Sequence, residues 1–132
     1  MPIANLPGLM LDRTDPINRG QVGWWPMNEA AGERVNDISG NNLTGAFTNI
    51  VQGTTSGWTG GPPFGGHSVL MDQTNDYVLV NHSPKLAILG DISICAWVWF
   101  TGNPTGYPAI QKGGSYPNPY GLSSQPDRKW NF

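Results

Sequence analysis

The stretch Asp91-Ile92-Ser93-Ile94-Cys95-Ala96-Trp97-Val98-Trp99-Phe100 decides the fold. Successive side chains of an extended chain point to opposite faces. Ile92, Ile94, Ala96, Val98 and Phe100 therefore share one face, and Ser93, Cys95, Trp97 and Trp99 the other. Both faces are largely apolar. A strand of this kind belongs in the middle of a sheet covered on both sides, or lends one face as a wall where a ligand or partner lands. The run predicts a central strand with Trp97 or Trp99 largely buried. Cys95 reads as a small core residue, since no charge beside it favours a thiolate.

Outward from this strand, turn-forming residues at 102–106 and 113–119 bracket a strand at 109–112, and further strands are expected at 120–123 and 129–132. On the other side, 67–71 and 77–80 read as strands flanking a polar, hairpin-like connection at 72–76. Ser83 and Pro84 suit the N-cap and first position of a single helical turn. Gly45 to Thr48 is a strand, and 21–25 is a short aromatic strand stopped by Pro26. Turns are expected at 28–32 and 37–42. Residues 53–66, with Trp58 and Phe64 among Gly, Thr and Pro, read as a long loop. About eight strands at near-regular spacing predict an all-β, antiparallel two-sheet sandwich over 20–132. Residues 1–19, carrying Pro2, Pro7, Gly8 and Pro16, predict an extended N-terminal arm.

Composition agrees with that architecture and excludes several functions. Eighteen Gly and 12 Pro in 132 residues disfavour long helices. Only 12% of residues are charged, and the seven bases are scattered without a stripe, which argues against a nucleic-acid partner. Cys95 is the single cysteine, so no intramolecular disulfide can form. The N-terminus lacks the basic start and apolar run of a signal peptide, and no stretch is long and apolar enough to insert in a membrane.

The order of these pieces resembles the LamG-like jelly rolls of the concanavalin A-like lectin and glucanase superfamily, which includes the pentraxins. The residues that carry the resemblance are Val22-Gly23-Trp24-Trp25-Pro26-Met27-Asn28-Glu29, Asp37-Ile38-Ser39-Gly40-Asn41-Asn42, Met71-Asp72 through Asp76-Tyr77-Val78, 91–98, Lys112-Gly113-Gly114 and Tyr120-Gly121-Leu122. The resemblance implies a jelly-roll sandwich that binds glycans, proteins or cell surfaces, with calcium held near a loop rim in many members. Such domains continue for several strands beyond the position matching Phe132. The segment from Leu6-Pro7-Gly8-Leu9 to Asp15-Pro16 resembles the start of LamG-bearing structural proteins of tailed phages.

Candidate sites follow. The hydrolytic members place Glu-x-Asp-x-Glu on one strand, where alternation brings the carboxylates together. This chain has no such motif, and Glu29 and Glu33 bracket a turn, so no catalytic residue is expected. The oxygen-rich groups suited to a hard cation are Asp72, Asn75 and Asp76 in one turn and Asp37, Asn41 and Asn42 in another. Each set can equally serve as hydrogen-bonded turn residues. Trp58, Tyr107 and Tyr116 lie in Gly- and Pro-rich loops, where an aromatic either presents a flat face to a ligand or plugs the end of a sandwich. The expected function is that of a non-catalytic virion-surface decoration or adhesion protein, on a virion or otherwise extracellular. Its expected partners are other particle subunits, a second copy meeting it along open strand edges, or host glycans. The alternative is a glycan-binding module of a larger extracellular protein, with a glycoside hydrolase a distant third.

Overall fold

The computed structural model describes residues 12–53, 55–61, 66–100, 108–113, 120–124 and 129–131. Among them are eight strands, all paired antiparallel in three sheets, and two single turns of 3-10 helix. The chain is all-β, and it divides into two compact units, Met1–Ser83 and Pro84–Phe132.

In the first unit, β1 (Arg34–Val35), β2 (Gly45–Thr48) and β5 (Tyr77–Val80) form one sheet with β2 in the centre. Val35 and Val80 both pair with Gly45, and Val78 pairs with Phe47. Paired residues share a face, so these side chains make one apolar layer. Val35 is fully buried, and Leu43 and Ile50 join it in the core. Gly45 is what lets the layer close, because a Cβ there would meet Val78 Cγ1 at 2.5 Å. The other face carries Arg34, Ala46, Tyr77 and Leu79, all exposed. β3 (Gly57–Gly60) and β4 (His67–Leu70) form a separate two-stranded sheet. Trp58 leans on Phe47, with ring centroids 5.3 Å apart, and so ties the two sheets together.

In the second unit, β6 (Pro108–Lys112), β7 (Tyr120–Ser124) and β8 (Trp130–Asn131) form a sheet with β7 in the centre and a register shift between Pro108 and Ile110. The pairing puts Ile110, Lys112, Tyr120, Leu122, Ser124 and Trp130 on one face, and Pro108, Gln111, Gly121, Ser123 and Asn131 on the other. Ile110, Tyr120, Leu122 and Trp130 make the first face the more apolar of the two. The turn Pro84–Leu86 closes with Ala87 N–H on Pro84 O, and the Tyr120 hydroxyl donates to Leu86 O at 3.0 Å.

Several expectations are corrected. Residues 21–25 form no strand, because their polar bonds run to side chains and single loop groups instead of along a ladder: Trp24 N–H donates to Asp37 Oδ1 and Trp24 O accepts from Ile38 N–H. The segment read as a loop at 53–66 contains β3. The connection at 72–76 does not close a hairpin, since β4 pairs with β3 and β5 with β2.

The largest correction concerns 91–100, which joins no sheet ladder. Its alternation survives only in part: Ile92, Ile94 and Phe100 are partly covered, whereas Ser93 and every residue from Cys95 to Trp99 are exposed. A strand apolar on both faces needs two covering layers. The described part of its unit supplies one sheet with one apolar face, and the second face stays in solvent.

Candidate functional site

The densest polar cluster is built around Asp37. Its Oδ1 accepts from the N–H groups of Trp24 and Ser39, at 3.0 and 2.8 Å. Its Oδ2 accepts from Ser39 Oγ and Leu43 N–H, at 2.8 and 3.0 Å. Ser39, fully buried, also meets Val22 O through Oγ, and Asn41 Nδ2 donates to the same carbonyl at 2.7 Å. The Arg13 guanidinium donates twice to Ser39 O. Segment 12–25 is thereby strapped onto the loop at 36–43 without any sheet pairing. Burial pushes the Asp37 carboxyl up, but the bonds from Trp24, Leu43 and Ser39 outweigh it and hold the group below the usual carboxylate value. A carboxylate accepts about four hydrogen bonds, so Asp37 is saturated. The residues that suggested a cation site at Asp37 and Asn41 form a hydrogen-bonded clasp in this structure.

The second acidic turn is organised differently. Asp72 N–H donates to Asp76 Oδ2, Thr74 N–H donates to Asp72 Oδ1, and Asn75 O accepts from Asn49 Nδ2. Asp76 Oδ1 is enclosed with no hydrogen-bond partner. Asp72, Asn75 and Asp76 thus share one turn, with one carboxylate oxygen in need of a positive or donating neighbour. Among the described residues no three His, Cys, Asp or Glu side chains come together as a metal would require. Calcium here would have to draw most of its six to eight oxygens from carbonyls, amides and water.

Trp58 serves the first unit from within. Its indole N–H donates to Gly32 O at 2.8 Å, its backbone N–H donates to Gln52 Oε1, and its ring rests on Phe47. Tyr107 and Tyr116 lie outside the described residues. Glu29 Oε1 accepts from Asn36 N–H at 2.6 Å and closes its loop, while Oε2 is enclosed without a partner.

The exposed aromatic surface lies elsewhere, in the second unit. Trp97 and Trp99 are 78% and 85% exposed, and Cys95 beside them is a free, exposed thiol. Ile94 to Val98, Leu122 and Trp130 line a shallow groove of about 390 Å³. Phe100 packs on Trp130, with centroids 5.7 Å apart, and pins the end of the segment to the sheet. The sequence marked these tryptophans as unusual through a strand apolar on both faces, and predicted one of them largely buried.

Among the described residues no helix is long and apolar enough to cross a membrane. Compared with known proteins, the chain matches no family model, no curated protein and no solved structure.

Proposed function

We propose that this chain carries a LamG-like jelly-roll sandwich that works by surface contact, as a decoration or adhesion protein on the outside of a virion. The observation that carries this reading is the ridge of Cys95, Trp97 and Trp99. Large indole faces left in water beside an apolar groove are the mark of a contact surface. Antiparallel sheets throughout and the ordered series of LamG-like segments support the fold. A role without catalysis is supported by how the acids are used: Asp37 is saturated by four donors, and Glu29 closes a loop.

A glycan-binding module is the second reading. Exposed indole faces suit the apolar face of a sugar ring, with a polar handle at the rim. Calcium at the 72–76 turn is part of either reading, supported by the enclosed Asp76 Oδ1.

Two measurements separate them. Binding to a glycan array that saturates, and is lost in Trp99→Ala, selects the lectin. For the decoration role, residues 1–11 are removed, which leaves Arg13 and its clasp in place, and incorporation into particles is followed. Loss of incorporation with the fold intact selects the decoration protein. Normal incorporation of the shortened chain, together with a blank array, rejects both.

A further inference from the structure

We propose that residues 12–25 form an exchangeable arm: in a dimer, each copy of this chain lays its arm into the 37–43 loop of the other, with residues 26–31 as the hinge. The exchange goes beyond the proposed function and stands whatever the surface of the protein contacts.

Segment 12–25 joins no sheet ladder, and its attachments run to one loop. Arg13 donates to Ser39 O, while Ser39 Oγ and Asn41 Nδ2 donate to Val22 O. Trp24 N–H donates to Asp37 Oδ1, Ile38 N–H donates to Trp24 O, and the Trp25 indole N–H donates to Leu43 O at 2.6 Å. Most of 12–20 is exposed, so little apolar burial adds to these bonds. Such a contact comes apart while Val35, Leu43 and Ile50 stay in the core. A second copy offers the same loop with the same donors and acceptors. Two copies related by a two-fold axis therefore satisfy both arms without any new interface.

The hinge supplies the reason to exchange. Met27 and Ala30 hold left-handed φ angles of 54° and 66°. Residues with a Cβ are disfavoured there by a factor of about five or more each. Glu29, between them, ends in an enclosed Oε2 with no hydrogen-bond partner. In the closed chain the hinge must turn the arm back onto its own loop. In the exchanged dimer it runs out to the other copy, takes ordinary φ angles and returns the Glu29 carboxylate to water. What it gives up is the bond from Asn36 N–H to Glu29 Oε1. The clasp is made in both forms, so its strength cancels. An unstrained hinge would balance the two forms near the effective concentration of a short linker, about millimolar. Relieving two residues in each of two chains, at about fivefold apiece, moves that balance toward the micromolar range.

Sedimentation velocity from micromolar to millimolar chain, unfolded and refolded at each concentration with Cys95 kept reduced, should show monomer and dimer. Ala30→Gly and, separately, Met27→Gly should weaken the dimer at least about tenfold, because two hinges then lose their strain. Arg13→Ala should leave the dissociation constant within about twofold, because it loosens the clasp equally in both forms. A side-by-side dimer has no reason to respond to the hinge. In dimer refolded from a mixture of isotope-labelled and unlabelled chains, the nuclear Overhauser contact between the Trp25 indole and Leu43 should cross from one chain to the other. A monomer at every concentration overturns the proposal. So does a dimer that both glycine variants leave intact, or one that Arg13→Ala takes apart. Trp25 to Leu43 contacts confined to single chains within the dimer overturn it as well.

Discussion

Protonating Asp37 turns one of its two oxygens, each of which accepts from two donors, into a competing donor. Its folded-state value lies below the usual one, so its contribution is complete above about pH 4, the unfolded carboxylate value, and is lost as pH falls through the lower folded value. Thermal melts from pH 7 down to strongly acid conditions should show that decline in the wild type. Asp37→Asn, which keeps one acceptor and introduces a competing donor, should cost about 1–3 kcal/mol at neutral pH and flatten the acid limb of the profile. At Gly45 the argument is steric. A methyl group there collides with Val78 across the ladder, and a valine branched at Cβ has little room to turn away. Gly45→Ala should lose about 1–3 kcal/mol in denaturant unfolding, despite alanine being the less flexible residue when unfolded.

The elements differ in what holds them, and their sequences reveal that unevenly. Trp58→Phe keeps a ring against Phe47 but removes the donor to Gly32 O, and should cost about 0.5–1.5 kcal/mol by thermal denaturation. Its companion β3 was invisible in the sequence, because Gly-Trp-Thr-Gly offers one large side chain and no alternation. β5, β6 and β7 were legible, each an apolar or alternating run ended by turn residues. The aromatic 21–25 segment had strand propensity but no ladder, and propensity alone does not make one. Candidate sites were legible as residue types and not as roles. Asp37 and Asn41 stood out as oxygen donors, yet whether an Asp binds an ion or a set of N–H groups depends on where a distant backbone runs. Here that backbone belongs to Trp24 and Leu43.

Across the whole molecule, protection should follow burial and pairing. Amide hydrogen exchange should be slowest at Val35, along β2 and at Val78 to Val80, where ladder bonds lie over buried side chains. Exchange at 91–100, which joins no ladder, should be fast. The contrast between the units has one cause. The first satisfies its apolar faces by setting Trp58 of one sheet on Phe47 of the other, whereas the described part of the second has a single sheet and leaves one side of its most apolar segment uncovered.

The contact between Gly45 and Val78 also constrains how this sequence can diverge. Alanine at 45 is harmful while valine occupies 78, and shortening Val78 alone leaves a void under β2. Together the two changes exchange one methyl-sized volume across the ladder, so the pair should lose much less than the sum of its parts in a double-mutant cycle. Single-step drift at either site is then blocked, and descendants of this chain should carry either Gly with Val or Ala with a smaller residue, with few intermediates between them.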